Sequence, residues 1–234
     1  MSWIILALSS RAIFAGNNFV DQFLVEKRIK NPAVLTIFAG WVMLVFGVVI
    51  LAFVHFPVLP FGQTILLLIS GMLVGISVLP YFAALAIDEA SRVVPFFQTI
   101  PIFVLLLSYI FLRELPLPHQ FIGVGAIVAG AFLLSIKEFN WNLFRLRKSL
   151  GYMLLSSFCI ASSFVLFRFV VVHQSFWSSF GYDLVGEGLG GGIAAFIISV
   201  SFKQSSRIKK YLCQYGSNFC HQSNNLYRRP IFFI

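Results

Sequence analysis

Five charged residues lie inside stretches that are otherwise almost entirely apolar: Arg11, Asp21, Arg168, Asp183 and Glu187. A charged side chain in apolar surroundings is stable only when it faces a partner, a bound solute or ion, or water. The five are therefore candidate binding residues. The alternative is that a charged side chain near a helix end reaches back to the polar surface. The positions of Asp21 and Asp183 allow this alternative, and for Arg11 and Arg168 the two interpretations are equally supported.

Two amide side chains stand beside one of these charges. Asn17 and Asn18 precede Asp21 by four and three residues, which places all three on one face of a helix. Such a face supplies hydrogen-bond donors, acceptors and one negative charge. We expect it to form the wall of a cavity that receives a solute or an ion, and packing near the helix end is the alternative.

Prolines interrupt two further apolar stretches and are expected to bend them at Pro80 and Pro101. Proline has no N–H, so it leaves the carbonyl four residues earlier without its usual donor. Pro101 should therefore free the carbonyl of Phe97, next to the uncharged polar residues Gln98 and Thr99. Broken helices of this kind bind solutes in membrane transporters, although kinks also serve packing alone.

Enzymatic chemistry is not indicated. Tyr182-Asp183, followed by Gly188-Leu189-Gly190, resembles elements of intramembrane aspartyl proteases. Those enzymes need two carboxylates that face each other from different helices, whereas here Gly191 stands where the second Asp belongs and both fragments share one helix. The three cysteines form no CxxC pair, so we expect neither a metal nor a cofactor.

The composition defines the environment of these residues. Of 234 residues, 59% are hydrophobic and 11% charged, and the mean hydropathy is +0.91. Soluble domains carry about 25% charged residues. A soluble enzyme and a nucleic-acid-binding domain are therefore excluded. We predict an all-α helical bundle embedded in a lipid bilayer, without a nucleic-acid partner.

Seven stretches are long enough to cross the bilayer as helices, since about 20 apolar residues suffice. The N-terminal stretch lacks preceding basic residues, so we expect a retained span and not a cleaved signal peptide. Short connections at 88–92 and 113–118 predict that helices three, four and five are antiparallel neighbours. The predicted spans are residues 3–25, 33–54, 64–87, 93–112, 119–136, 150–172 and 178–201.

Small residues recur at helical spacing in three of these spans. Gly71 and Gly75 form a GxxxG motif, Ala126 and Gly130 a related pair, and five glycines crowd residues 186–192. Small residues let helix backbones approach closely in membranes. Packing within one bundle is the favoured interpretation, and a homodimer contact is the alternative.

The charges of the loops and an internal repeat indicate how the helices are oriented across the membrane. Loops on one side carry eight basic residues and those on the other only Arg113, which predicts a cytoplasmic location for the first side. Residues 6–23 align weakly with 153–170, with two serine pairs coinciding. An odd number of spans between the copies would invert the second, and inverted repeats are typical of secondary transporters. The basic residues of the first side are Lys27, Arg28, Lys30, Arg92, Lys137, Arg145, Arg147 and Lys148.

Residues 91–135 resemble the end of an EamA domain, which defines the largest group of the drug/metabolite transporter superfamily. Residues 16–32 resemble the first helix and loop of the same domain. The chain departs from the family at the turn after the fourth span, where Arg113 replaces a glycine and Pro116 follows Leu115. The matching residues are Pro101, Glu114, Leu115, Gln120, Ile122 and Gly123.

The resemblance implies ten helices in two inverted five-helix repeats around a central cavity, and transport of small metabolites, amino acids or drugs without ATP. It also implies an internal N-terminus, against the loop charges, so orientation stays open. Three helices of the second repeat would be absent, which suggests a truncated reading frame. The expected division is a first repeat at 1–136, a basic loop at 137–149, a partial second repeat at 150–201 and a polar basic tail at 202–234.

We therefore predict a multi-pass secondary transporter of a small organic solute in the plasma membrane. Pro80 and Pro101 would be bends, and Glu114 a structural residue of the turn. The alternative is a membrane scaffold or an inactive fragment that transports nothing. The predicted cavity residues are Asn17, Asn18, Asp21, Tyr81, Gln98 and Thr99.

Overall fold

A computed structural model of the chain describes residues 2–28, 32–113, 118–135 and 148–215. Within these ranges the regular structure is entirely helical, as the run lengths and apolar composition predicted. The contacts divide the chain into two units, residues 1–195 and 196–234. The packing and the candidate site described below belong to the first unit.

The described residues contain a helix for each of the seven predicted spans. Four helices are long and apolar enough by composition to cross a membrane: Pro32–Phe53, Phe61–Leu85, Val94–Leu112 and Lys148–Val171. The last helix continues to Tyr215, beyond the predicted span of residues 178–201. Lys, Arg and Gln, which follow the apolar run, favour helix about as strongly as Leu. The bounds are α1 Ser2–Phe23, α2 Pro32–Phe53, α3 Phe61–Leu85, α4 90–112, α5 Pro118–Ser135, α6 Lys148–Val171 and α7 Phe176–Tyr215.

The fourth helix changes its winding along its length, and prolines account for part of this. Pro101 cannot donate to the carbonyl of Phe97, and that carbonyl instead accepts the N–H of Ile100. The expectation of a free Phe97 carbonyl was therefore wrong, because the tighter i to i+3 pattern satisfies it. The segments of α4 are an α-helical turn Ala90–Val93, a 3-10 segment Val94–Thr99, an α-helix Ile100–Leu107 and a π-helical end Ser108–Leu112.

Helix α6 packs against both α3 and α4. Buried serines line the antiparallel α3–α6 contact. The hydroxyls of Ser70 and Ser163 lie 3.0 Å apart, and the Ser156 hydroxyl donates to the Ser77 carbonyl at 3.0 Å. The expectation that α3 and α4 are direct neighbours was therefore wrong over most of their length. A short turn fixes antiparallel direction, but small polar residues decide which helices approach closely.

The glycines of α7 pack against α2 and α3. A methyl group added at Gly71 would overlap the Asp183 carbonyl, and one at Gly75 would overlap the Glu187 carbonyl. Gly40 of α2 makes similar backbone contact with α7. The GxxxG motif therefore packs within this chain. By contrast, the glycines of α5 have open space around them in the described structure, and a homodimer contact there stays a prediction.

Candidate functional site

Tyr81 connects α3 to the polar face of α1. Its hydroxyl lies 3.0 Å from Asn18 Oδ1 and 3.0 Å from Asp21 Oδ2. Tyr81 and Asn18 are only 8% and 7% exposed. A phenol has one proton, so Tyr81 can donate only one hydrogen bond. All three groups are satisfied when Tyr81 donates to Asp21 and the Asn18 amide donates to Tyr81. The second bond requires that the oxygen and nitrogen of the Asn18 amide exchange positions. The hydroxyl therefore links two helices through a buried polar contact.

The predicted face of α1 divides into a buried part and an exposed part. Asn18 points into the bundle, while Asn17 is exposed and donates from Nδ2 to Asp21 Oδ2 at 3.3 Å. Adjacent residues differ by about 100° around a helix, so the two amides cannot both face Tyr81. Asp21 is half-buried. Its Oδ2 atom accepts hydrogen bonds from Tyr81 and Asn17, whereas its Oδ1 atom has no hydrogen-bond partner among the described residues.

Aromatic rings pack beside Tyr81, the residue that donates to this carboxylate. The Phe97 ring of α4 lies with its centroid 5.2 Å from that of Tyr81 and 6.4 Å from that of Phe14 on α1. Offset and edge contacts of this kind add to the energy of burial. Helices α1, α3 and α4 therefore meet around one charged group and three rings.

The other two predicted cavity residues follow Phe97 in the 3-10 segment of α4. Thr99 donates from Oγ1 to the Phe96 carbonyl at 2.7 Å, and Ser157 of α6 donates to the same oxygen at 3.4 Å. The Thr99 proton is thus engaged by the backbone. Gln98 is half-buried. The structure brings four of the six predicted residues into one network: Asn17, Asn18, Asp21 and Tyr81. Gln98 and Thr99 lie outside the network, on the 3-10 segment that carries Phe97.

Sequence reasoning missed three contributors to this region. Phe14 lies three and four residues before the two asparagines, so the same spacing could have found it. Phe97 could not be distinguished among 28 phenylalanines. Gln22 follows Asp21, and its Oε1 atom accepts the Ala90 N–H at 3.2 Å. It therefore satisfies a backbone donor at the start of α4, a group that no helix bond can satisfy.

The remaining predicted charges lie apart from this network. Arg11 is exposed, and Arg168 is exposed in the last turn of α6. Asp183 and Glu187 are half-buried one turn apart on α7. Glu114 lies outside the described residues.

An apolar cavity of about 390 Å³ lies between α3, α4 and α6. Its one polar lining residue, Ser162, donates its hydroxyl proton to the Phe158 carbonyl of its own helix at 2.8 Å. Binding sites usually combine apolar walls with a few polar groups that orient the ligand. This cavity has no such group to offer, so the Tyr81 network is the better candidate. The lining residues are Leu66, Leu107, Phe111, Leu112, Phe158, Ser162, Val165, Leu166 and Phe169.

Comparison with known proteins assigns the chain to a family. The model of the EamA-like transporter family matches residues 1–136, which is more than half of the sequence. The chain belongs to the EamA-like transporter family. A stretch of 76 residues is 38% identical to a Sinorhizobium sp protein described as an uncharacterized transporter in the cobO 3' region, and covers 32% of this chain. The match spans about half of that relative, 54% of its length. No solved structure shows a significant match.

The predicted resemblance is thus confirmed, and this EamA-like protein is a multi-pass membrane protein. The last described residue after α4, Arg113, adopts φ 55° and ψ 24°. This left-handed conformation costs little for glycine but crowds the Cβ atom of other residues. Arg113 therefore occupies a backbone conformation that glycine would adopt more easily.

Proposed function

We propose that the protein is a secondary transporter that moves a small organic solute across the plasma membrane by alternating access. The solute would bind at the network of Asn17, Asn18, Asp21 and Tyr81, hereafter the α1–α3 cluster. The observation that supports this most directly is the part-buried Tyr81–Asp21 hydrogen bond between two helices of a transporter family member. It holds an acceptor oxygen, Asp21 Oδ1, in a fixed position.

The chemistry of the cluster suggests the kind of solute. Asp21 supplies a negative charge, which forms its strongest hydrogen bonds with charged donors. Phe14 and Phe97 supply apolar and aromatic surface beside it, and ring faces also attract cations. A solute that carries an amino group on an apolar or aromatic frame would satisfy both features. Asn17, which is exposed, would offer a further amide at the entrance.

Helices α3 and α4 offer places for the required motion. Pro80 directly precedes Tyr81, and Pro101 follows the 3-10 segment Val94–Thr99. A 3-10 stretch inside a longer helix often marks a hinge. Because the Phe97 ring packs on Tyr81, rewinding of this segment would move the ring relative to the cluster. Access to Asp21 would then alternate with the conformation of α4.

Reconstitution tests this proposal directly. The purified protein would be placed in liposomes and assayed with labelled amines, amino acids and neutral metabolites, with protein-free liposomes as the control. We expect saturable flux of at least one amine-bearing solute. Absence of flux for every solute class would contradict the proposal and favour the alternative of a scaffold or an inactive fragment.

A further inference from the structure

One face of α7 carries polar atoms that the described structure leaves without partners. Ser179, Asp183 and Glu187 are spaced by four residues and therefore lie on the same face of the helix. Asp183 Oδ1 is buried and has no hydrogen-bond partner among the described residues. The same is true of Ser179 Oγ, and the Ser179 side chain is 0% exposed. Orphaned buried polar atoms are rare in proteins and call for an explanation.

Helices α3 and α6 extend this polar surface. Ser70 directly precedes Gly71, which packs against the Asp183 backbone. The Ser70 hydroxyl pairs with Ser163 of α6 at 3.0 Å. Gln63 lies two turns before Ser70, and its Oε1 atom is likewise buried without a partner in the described part of the chain. Three helices thus direct oxygen atoms toward one region of the bundle.

The charges around this region do not balance. Asp183 and Glu187 stand one turn apart, and like charges at that spacing repel. Helices α2 and α3, which pack against α7, contain no Asp, Glu, Lys, Arg or His. In α6 the charged residues are Lys148 and Arg168, near its two ends. A carboxylate inside a helical bundle is costly unless a positive species neutralises it.

We propose that Asp183 and Ser179 bind a monovalent cation, either a proton or a sodium ion, within the bundle. Carboxylate, hydroxyl and amide oxygens are the ligands that hard cations prefer, and acidic residues inside membranes commonly lie on ion or proton pathways. The site is separate from the α1–α3 cluster. Gly71 and Tyr81 are ten residues apart on α3, which is about 15 Å along the helix. Cation binding therefore does not depend on the proposed solute site.

Thermal unfolding of the full chain, purified in detergent, tests this proposal. A species that binds only the folded state raises its unfolding temperature. In the first arm sodium chloride replaces choline chloride at constant ionic strength and pH 7.5. In the second arm, the pH is varied between 5 and 8 in choline chloride alone. A sodium site predicts saturable stabilisation in the first arm, and a proton site predicts stabilisation on acidification in the second.

Variants connect either response to Asp183. Asp183→Asn should weaken the proton response, since Glu187 one turn away can still take up a proton, or weaken sodium affinity by about tenfold or more because a charged ligand is lost. Asp183→Glu keeps the carboxylate and should retain the response, which guards against a folding defect. Ser179→Ala should weaken sodium binding and leave proton binding unchanged. Glu26→Gln, at an exposed acid three residues after the end of α1, is the matched control and should behave as wild type.

Two results would overturn the cation site. One is a wild-type protein whose stability responds to neither sodium nor pH, which would leave ordered water as the partner of the orphaned oxygens. The other is an Asp183→Asn response equal to that of wild type. Because the readout is unfolding and not flux, failure here is distinguishable from failure of the proposed transport function.

Discussion

The hydroxyl oxygen of Tyr81 lies 3.0 Å from a carboxylate oxygen of Asp21, although the two residues are 60 positions apart in the chain. The contact joins α1 to α3 at the level where Phe97 of α4 packs on the tyrosine ring. It therefore couples the one acidic group of the cluster to the positions of two other helices. Changes at either end of this hydrogen bond should affect solute binding before they affect folding.

Removal of the Tyr81 hydroxyl should impair transport. In Tyr81→Phe the ring remains, but Asp21 loses its buried donor and its fixed orientation. A hydrogen bond to a charged group contributes about 1.5–3 kcal/mol, which corresponds to a loss of about 10-fold to 100-fold in kcat/KM. Asp21→Asn should have at least as large an effect. Initial uptake rates in liposomes containing equal amounts of protein would measure this.

Tyr109→Phe provides the matched control, since Tyr109 is 54% exposed on α4 and lies outside the cluster. Its uptake should equal that of wild type. Gln98→Ala should reduce uptake while membrane insertion is preserved. Wild-type uptake by both Asp21→Asn and Gln98→Ala would show that the solute binds elsewhere.

The sequence could predict the polar face of α1, because the spacing of Asn17, Asn18 and Asp21 is a local property of a helix. It could not tell which asparagine faces the bundle. That is decided by Tyr81, a partner brought close only by the packing of α1 on α3. For the same reason Phe97 escaped notice: its role depends on the winding of the segment that carries it, and many phenylalanines in this chain face outward.

Which helices pack against each other was harder to predict than where the helices lie in the sequence. The GxxxG motif indicated close packing of α3, but its partner is α7, far along the chain, and not the next helix. The serines of α6 carried a signal that was not used, since buried serines such as Ser156 and Ser163 allow close approach in the same way as glycine. Spacing within one helix predicts a packing face, whereas the choice of partner requires the complementary surface of a second helix.

Gly71→Ala should destabilise the protein. The added methyl group would overlap the backbone carbonyl of Asp183, and a backbone atom cannot move aside as a flexible side chain can. Overpacking of this kind typically costs about 1–3 kcal/mol. The unfolding temperature in detergent measures this loss of stability. It is obtained by heating samples and following the loss of the monodisperse peak on size-exclusion chromatography.

The matched control for Gly71→Ala is Gly125→Ala, in α5. A methyl group at Gly125 meets no atom within 4 Å in the described structure. Alanine favours helix over glycine by about 0.5–1 kcal/mol, so this variant should be neutral or slightly more stable. Equal stability of Gly71→Ala and wild type would contradict the close α3–α7 contact. A large loss in Gly125→Ala would instead indicate a partner for α5, as a homodimer would provide.

Ser156→Ala tests the polar contact between α3 and α6. Ser156 is fully buried and donates to the Ser77 carbonyl on the neighbouring helix. Interhelical hydrogen bonds in membranes contribute about 0.6 kcal/mol on average, so we expect a loss of that size. Ser162→Ala is the control, since Ser162 donates to its own helix and should change stability less. Equal effects of the two substitutions would contradict a specific role for the α3–α6 serines.

Arg113→Gly should stabilise the protein, because it places glycine at a left-handed position. Arg113 has φ 55°, and relief of the Cβ crowding offers about 1–2 kcal/mol, less the entropy that glycine adds to the unfolded chain. The side chain is exposed, so its removal creates no cavity. Arg113→Ala separates the two effects of the substitution, since alanine removes the charge but retains the Cβ atom. Stabilisation of Arg113→Ala equal to that of Arg113→Gly would attribute the gain to the lost charge and not to the backbone conformation.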